Sequence, residues 1–416
     1  MEKRAGALMD MDRAALEKRM RVYYDPNVAW DELKVLKTGL TENAACFDAR
    51  AARIRVQAQE EFDPTHLIPY ALRPFDTRWC YYSGISPLWN RSRPALWRQC
   101  WKGNAFLMSR PAGAASPEGV PLFYTPLLGD NDFLRGHAYY FPMRLRRTPK
   151  VKMKKEDGNG EFGGILQEAA HAYKADDGHV TANLSSSARA YLARLGFKNP
   201  DDADSAPLIW MHALAIGYSP AYLAENADGI RQGWPHIPLP GSKADLFASA
   251  QLGRQVAALL DSENSVEGVT AGKLKPEFKG VAVLSSAANL SLTAGWGHAG
   301  QNGVTMPGKG KLATTRLEAG PEDNPQWTEW HDVYLNESAC WKSIPAQVWD
   351  FTIGGYQVLK KWLSYRELAL LGRPLTPEEA REVTQTARRI AALIVLQPEL
   401  DQNYQAVKAG AFDWNT

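Results

Sequence analysis

A block of short aromatic runs between residues 70 and 145 limits the possible folds more than any other feature. The runs are RWCYYS (78–83), NAFLMSR (104–110), PLFYTPLL (121–128) and AYYFPMRL (138–145), and Pro and Gly separate them. Aromatic runs bounded by turn-forming residues are typical of strands. The flanking sequence has helical spacing instead, which excludes an all-helical or all-strand chain. We therefore predict an α+β fold, with an aromatic-rich mixed β-sheet module and inserted and C-terminal helices.

Local signals predict several of the helices. Thr376-Pro377-Glu378-Glu379 combines an N-cap, a Pro at the first helical position and a capping-box Glu, and apolar residues then repeat at helical spacing through Ile394. Further helices are predicted over 13–21 after Asp12, over 27–40 and over 185–195.

The charge is distributed unevenly along the chain. The formal net charge of the 416 residues is +2, from 48 Lys and Arg against 46 Asp and Glu. Residues 70–155 carry 15 basic and 4 acidic residues, a net charge of +11, which leaves −9 for the other 330 residues. An asymmetry of this kind indicates a polyanionic partner.

Several classes of protein are disfavoured by what the sequence lacks. No run approaches the roughly 18 consecutive apolar residues of a membrane span, and the N-terminus has no apolar signal-peptide core. The four cysteines (Cys46, Cys80, Cys100 and Cys340) are far apart, so we expect neither a disulfide framework nor a structural zinc site. We expect a cytoplasmic protein that binds no metal.

Catalytic motifs are also missing. The sequence has no Gly-x-Ser-x-Gly, His-Glu-x-x-His or Gly-x-Gly-x-x-Gly pattern. The nearest match to a phosphate-binding loop runs from Gly303 to Lys309, but Gly310 replaces the Ser or Thr that would hold magnesium. We therefore expect no catalysis by this chain alone. A nuclease or nucleotide hydrolase that uses the Gly303–Lys309 loop is one alternative, and a Trp-rich carbohydrate-binding or scaffolding protein is another.

Three basic clusters are candidates for contact with nucleic acid, because Arg and Lys bind phosphates and aromatic rings stack on bases. The first cluster has Arg interleaved with aromatic residues, and Asp76 is expected to support it by holding a guanidinium in place. The second is a basic loop with seven basic residues in twelve, and the third surrounds a predicted short helix. The candidate DNA-binding residues are Arg73, Arg78, Tyr82, Arg91 and Arg93; Arg144, Arg146, Arg147, Lys150, Lys152, Lys154 and Lys155; and Lys360, Lys361, Tyr365 and Arg366.

Each cluster also has a plainer interpretation. The first can be a solvated basic face over an aromatic core, and the second a loop that only increases solubility. The third can be an amphipathic packing helix, because Tyr356, Leu359 and Leu363 form one apolar face.

Three stretches resemble a known family. They are YALRPFDTRWCYY (70–82), HALAIGYSPAYLAENADGIRQGWPHIPLP (212–240) and VWDFTIGGYQVLKKWLSYRELALLGRPLTPEEAREVTQTARRIAALIVLQPELDQNY (348–404). In the family's order, they resemble the C-terminal specificity region of Type ISP restriction-modification enzymes. Those enzymes combine nuclease, helicase-like translocase, adenine-N6 methyltransferase and target recognition in one polypeptide. The resemblance implies double-stranded DNA and a methyltransferase/translocase polypeptide as partners, with S-adenosylmethionine as the methyltransferase's cofactor and phage defence as the setting.

The departures from that family's full-length pattern are equally informative. The Asn-Pro-Pro-Tyr type of motif that grips a flipped adenine is absent, and Asn199-Pro200-Asp201 and Asn324-Pro325-Gln326 do not replace it. Neither a Gly-rich cofactor motif nor helicase motifs occur, so the resemblance implies the specificity portion alone, with no cofactor in this chain. We divide the chain into a helical lead-in (1–65), a basic, strand-rich DNA-binding part (66–165), a helical part (166–262) and a part with strands, loops and C-terminal helices (263–416).

Overall fold

The computed structural model describes residues 6–44, 47–89, 91–146, 180–301, 304–318, 320, 324 and 327–414. Helices and small sheets alternate along them, and the predicted α+β class is confirmed. The main hydrophobic core draws residues from all four predicted parts of the chain, including Leu16, Phe106, Leu214 and Trp341. The described residues include no helix with the length and hydropathy needed to span a membrane.

The N-terminal region contains three helices, and the first of them packs against the first sheet and against the third helix. Asp12 caps the first helix, as predicted, and accepts a hydrogen bond from Ala14 N. The prediction of one helix over 27–40 is wrong, because only Trp30–Lys34 is an α-helix. From Val35 onward the backbone N–H groups bond to the carbonyl three residues earlier, and Lys37 has a φ of 44°, which ends the helical path. The elements are β1 (Met9–Asp10), α1 (Arg13–Tyr24), α2 (Trp30–Lys34) and α3 (Ala49–Gln57).

The aromatic block forms strands, as predicted, but these are divided among small antiparallel sheets. The first sheet has the order β1-β3-β2, the second β5-β4-β6, and β7 pairs with β8. Gly129 lies so close to the first sheet that a Cβ atom would stand 2.0 Å from the Ala71 carbonyl oxygen, so only glycine fits there. The elements are β2 (Leu67–Arg73), β3 (Asp76–Tyr81), α4 (Pro94–Trp97), β4 (Phe106–Ser109), β5 (Phe123–Thr125), β6 (Tyr139–Pro142), β7 (Arg144–Arg146) and β8 (Val180–Ala182).

The middle of the chain is helical. Two of its helices, Leu208–Gly217 and Lys243–Leu260, pack so closely that a Cβ on Gly253 would lie 1.8 Å from the Met211 carbonyl oxygen. The helix predicted over 185–195 is confirmed, and Ser185 caps it through Ala188 N. The elements are α5 (Ser186–Arg194), α6 (Leu208–Gly217), α7 (Pro220–Glu225), α8 (Ala227–Gln232) and α9 (Lys243–Leu260).

The last part combines a four-stranded antiparallel sheet of order β12-β13-β14-β9 with two strand pairs and a long final helix. The predicted capping box is confirmed, since Thr376 and Glu379 each accept a hydrogen bond from the other's backbone N–H. The elements are α10 (Pro276–Lys279), β9 (Val283–Leu284), β10 (Gly297–Ala299), β11 (Thr305–Pro307), β12 (Leu312–Arg316), β13 (Glu329–Tyr334), β14 (Cys340–Pro345), α11 (Ala346–Trp349), β15 (Thr352–Ile353), β16 (Tyr356–Gln357), α12 (Val358–Ser364), α13 (Leu368–Leu371) and α14 (Pro377–Ala409).

Candidate functional site

Basic residues from two distant parts of the sequence meet around one tyrosine ring. Lys361 Nζ lies 4.4 Å from the centre of the Tyr365 ring, and the guanidinium carbons of Arg78 and Arg73 lie 5.0 and 5.9 Å from it. The two arginines come from the β2–β3 hairpin, whereas Lys361 and Tyr365 belong to α12 and its end. The Tyr356 ring lies 5.5 Å from both Arg73 and Lys361. We refer to Arg73, Arg78, Tyr356, Lys361 and Tyr365 as the Tyr365 cluster.

A buried carboxylate, that of Asp76, fixes this arrangement through two arginines. Asp76 is 1% exposed and accepts hydrogen bonds from Arg78, with an N–O distance of 3.2 Å, and from Arg366, with one of 2.9 Å. Burial alone would raise the pKa of the Asp76 carboxyl, but Arg366 and Arg78 hold that pKa well below its usual range. Asp76 therefore stays ionised and fixes the direction of the Arg78 side chain.

Arg366 is itself part of the support. Its side chain is 2% exposed, and its guanidinium carbon lies 3.7 Å from the centre of the Trp362 ring. Because its contacts with Asp76 and Trp362 both lie inside the protein, Arg366 positions the end of α12 and does not face solvent.

A second ion pair holds Arg73. Its guanidinium NH1 lies 2.8 Å from Asp130 Oδ1, and the Arg73 residue is 9% exposed. Asp130 follows Gly129, whose close approach to Ala71 lets Asp130 N donate a hydrogen bond to the Ala71 carbonyl at 2.9 Å. The backbone contact thus places the carboxylate beside the arginine.

Lys361 is a half-buried cation of the cluster, and its pKa is lowered. Burial lowers its pKa to about 8, and the positive charges of Arg73, Arg78 and Arg135 act in the same direction against Asp76. Burial also raises the pKa of Tyr365, so its phenol remains neutral near neutral pH. An anion placed beside Lys361 would stabilise its charged form, which is the behaviour of a phosphate-binding lysine.

A groove of about 570 Å³ lies against the same Asp130 segment. Arg91 and Arg93 are exposed at its edge, and Arg93 has a φ of 54° where the chain enters α4. Tyr140, which also lines the groove, donates a hydrogen bond to the Asp130 carbonyl oxygen at 2.7 Å. We call it the Arg91 groove. Its charged, amide and aromatic lining residues are Arg91, Arg93, Asn131, His137, Tyr139 and Tyr140.

The remaining candidates occupy other positions. Tyr82 is 4% exposed and stacks on Trp97 at 4.1 Å, so it belongs to the core. Arg146 lies over the Trp101 ring at 4.7 Å, and Arg144 donates to the Ala203 carbonyl at 3.2 Å. Lys360 is half-buried on α12. Arg147, Lys150, Lys152, Lys154 and Lys155 lie outside the described residues.

Some members of this surface were not among the predicted residues. Asp130, Asn131 and His137 lie in a segment of mixed charge, GDNDFLRGH (129–137), that carries no recognisable motif. Tyr356 was assigned to a packing face because of its helical spacing from Leu359, although it lies in β16. The position of these polar residues between two aromatic strands could have marked them as candidates. The sequence does not show, however, that Asp130 binds Arg73.

Two features that could suggest a catalytic site have structural partners in the described residues. Gly308 N in the predicted phosphate loop donates to the Trp296 carbonyl, and Gly310 N directly after the loop donates to the Gly295 carbonyl, so both amides are already bonded. Within the same residues no group of three His, Cys, Asp or Glu side chains is arranged to hold a metal ion. His212 contacts Ser249 Oγ and the Pro238 carbonyl, both at 2.7 Å, and burial lowers its pKa to about 4. With no exposed surface, this His–Ser pair supports the core.

Comparison with known proteins gives a consistent result. Residues 1–391 match the model of the Type ISP C-terminal specificity domain family. No curated protein sequence matches the chain.

Three solved structures have a similar fold. They are a nuclease-deletion mutant of the Type ISP restriction-modification enzyme LlaGI in complex with a DNA substrate mimic (14% identity, TM-score 0.51), the ATP-dependent Type ISP restriction-modification enzyme LlaBIII bound to DNA (13%, 0.52) and a DrdV–DNA complex (15%, 0.52). Each match covers 96% of this chain but only 32%, 22% and 34% of the respective longer chain. The chain thus spans about a third or less of these structures.

Proposed function

The chain belongs to the Type ISP C-terminal specificity domain family, and on that premise we propose that it recognises duplex DNA with the Tyr365 cluster and the Arg91 groove. The observation that carries this proposal is the convergence of Arg73, Arg78 and Lys361 on the Tyr365 ring. Cations gathered at one place, two of them fixed by carboxylates, suit phosphate oxygens at fixed spacing.

The two surfaces have different tasks in this proposal. Arg78 and Lys361 contact the phosphate backbone, while Asp76, Arg366 and the Arg73–Asp130 pair hold them in place. Arg91, Arg93 and Asn131 at the Arg91 groove provide the forked and amide groups that bind guanine and adenine edges in a bidentate manner. The basic loop over 144–155 adds further phosphate contacts.

We further propose that the chain serves a Type ISP-like restriction-modification system in the cytoplasm, in which a methyltransferase/translocase polypeptide provides adenine-N6 methylation from S-adenosylmethionine. Two facts support this: the family that the chain belongs to, and the small share of the longer relatives that it covers. In this arrangement the chain directs the partner to its target, in the setting of phage defence, and catalyses nothing itself.

Duplex binding measured by fluorescence anisotropy tests the first proposal. If Arg78, Lys361 and two residues of the basic loop contact phosphates, affinity should fall about a hundredfold between about 50 and 200 mM salt. The double variant Arg78→Ala/Lys361→Ala should lose most of the affinity. The charge-matched control Arg50→Ala/Lys18→Ala, which removes exposed cations on α3 and α1, should bind as the wild type does. Absence of DNA binding at low salt, with and without the products of neighbouring genes, would reject DNA recognition.

Methylome sequencing tests the second proposal. Deletion of the gene should abolish N6-methyladenine at one sequence motif, and the Arg91→Ala/Arg93→Ala variant should reduce or redirect it. An unchanged methylome in a strain that encodes a matching methyltransferase would reject the methylation role while leaving DNA binding intact.

A further inference from the structure

The antiparallel pair of β10 and β11 forms an arm that is exposed to solvent on both faces. Successive side chains of a strand point to opposite faces, yet His298 and Ala299 are both exposed. The strand that follows the pair, β12, is exposed along its whole length. At these positions no other part of the described chain covers either face. We call the described residues 297–301 and 304–311 the β10–β11 arm.

The base of the arm is fixed to the end of α12. Gly297 lies so close to that helix that a Cβ atom would stand 1.9 Å from the Ser364 carbonyl oxygen. The Glu367 carboxylate accepts a hydrogen bond from Gly295 N at 2.8 Å, just before the arm begins. Because Tyr365 directly follows Ser364, these contacts join the arm to the Tyr365 cluster.

One face of the arm carries apolar side chains in solvent. His298 pairs with Met306, and the ladder continues to Val304, whose carbonyl accepts a hydrogen bond from Gly300 N at 2.8 Å. Val304 and Met306 are two positions apart, so they share a face, and they are 59% and 46% exposed. Gly300 leaves space for Met306, since a Cβ atom there would stand 2.6 Å from Met306 Cγ. Gly297 belongs to the opposite face, which contacts α12, so the Met306 face is directed to solvent.

The charge of the arm favours an anionic partner. No Asp or Glu occurs in the 40 residues from 278 to 317, whereas Lys309, Lys311 and Arg316 all lie there. Arg316 forms an ion pair with Glu329 at 2.8 Å. Lys309 and Lys311 are exposed, and they lie where the arm ends. The two lysines can therefore contact phosphate oxygens beside the base of the arm.

We propose that the β10–β11 arm enters the major groove of duplex DNA and that Val304 and Met306 contact thymine methyl groups there, an inference that rests on the proposed function of the chain. The major groove, about 12 Å wide, admits a two-stranded β ribbon. The thymine 5-methyl is the apolar group that distinguishes base pairs in that groove, so an apolar ribbon face selects thymine. Lys309 and Lys311 contact the phosphates that border the groove.

Selection of bound sequences from a random duplex pool, using the full chain, provides the first part of the test. We expect the wild type to enrich a motif that contains thymine. Replacing such a thymine by uracil, which lacks the 5-methyl group, should weaken binding about fourfold for each methyl group contacted. The variant Val304→Ala/Met306→Ala should bind the thymine and uracil duplexes equally. The control Val35→Ala/Leu36→Ala, at exposed apolar positions of the N-terminal region, should discriminate between them as the wild type does.

The phosphate contacts have a separate readout. Lys309→Gln/Lys311→Gln should weaken binding to all duplexes alike and lower the slope of log affinity against log salt concentration by about two. Lys18→Gln/Lys198→Gln, which removes two exposed lysines elsewhere, should leave that slope unchanged. A wild-type slope in the Lys309→Gln/Lys311→Gln variant would contradict the insertion of the arm into the groove.

Three further results would overturn the proposal: a selected motif without thymine, equal affinity of the wild type for thymine and uracil duplexes, and full sensitivity to the methyl group in Val304→Ala/Met306→Ala. The last result would assign the apolar face to a partner other than DNA. If Arg78→Ala/Lys361→Ala still abolishes binding in that case, the proposed function stands and only the role of the arm is rejected. Absence of DNA binding by the wild type would reject both.

Discussion

Asp76 and Arg366 are 290 positions apart in the sequence, yet their side chains form an ion pair at 2.9 Å with both almost completely buried. The pair joins the β2–β3 hairpin to the end of α12. It therefore brings Lys361 and Tyr365 beside Arg78, which no local interaction could do. A buried ion pair adds little net stability on average, and its value here is the fixed geometry of the cluster above it.

Removal of Asp76 should be costly for this reason. Asp76→Ala leaves the Arg366 guanidinium buried without its carboxylate, so we expect the free energy of unfolding to fall by about 3–5 kcal/mol in urea titrations. The double variant Asp76→Ala/Arg366→Met should recover a large part of that loss, because it removes both charges. A double variant no more stable than the single one would show that the pair does not act as a unit.

The elements that depend on residues close together in the sequence were predicted correctly. The capped start of α14 at Thr376 follows from four adjacent residues, and the aromatic strands follow from their composition and turns. The helix over 27–40 failed because apolar spacing alone does not show that Lys37 adopts a positive φ. The Tyr365 cluster was predicted only as two separate groups, because their meeting depends on Asp76 and Arg366, a contact between distant parts of the chain.

The lowered pKa of Lys361 predicts a pH dependence of DNA binding. Below about pH 8 the side chain is charged and can contact phosphate, and as the pH rises through about 8 it loses that charge. DNA affinity should therefore decline from neutral to mildly alkaline pH, while Tyr365 stays neutral because burial raises its pKa. Anisotropy titrations across this range measure the effect.

Lys361→Arg provides the matched comparison. Arginine stays charged throughout that range, so this variant should show a much flatter pH profile, whereas Lys360→Arg should retain the wild-type profile. An identical decline in Lys361→Arg would assign the pH dependence to another group.

Burial of His212 predicts a loss of stability in acid. The unfolded chain binds a proton near pH 6.5, whereas the folded one resists protonation until about pH 4, so stability falls as the pH drops between these values. At about 1.4 kcal/mol per pH unit, the loss amounts to about 3 kcal/mol. Unfolding titrations at several pH values measure it. His212→Gln should lower stability at neutral pH yet flatten this slope, and His298→Gln, at an exposed position, should leave the slope unchanged.

Arg389 on α14 caps the C-terminal end of α9, so its replacement should destabilise that end of α9 in particular. The side chain comes from α14, is 3% exposed, and donates to the carbonyls of Ala258, Leu259 and Asp261 at the end of α9, and also to the Asn264 carbonyl. A lysine has one nitrogen and cannot reach all of these oxygens, so buried carbonyls would lose their donors.

We expect Arg389→Lys to lower the free energy of unfolding by about 2–4 kcal/mol and to increase amide hydrogen exchange at the end of α9. Arg388→Lys is the matched control, since Arg388 donates a more exposed hydrogen bond to the Lys279 carbonyl at 3.3 Å and its replacement should change stability little. Faster exchange spread evenly over the whole chain, rather than concentrated near Leu260, would contradict a capping role. Because the two arginines are adjacent on α14, the comparison separates the buried carbonyl contacts from charge and helix propensity.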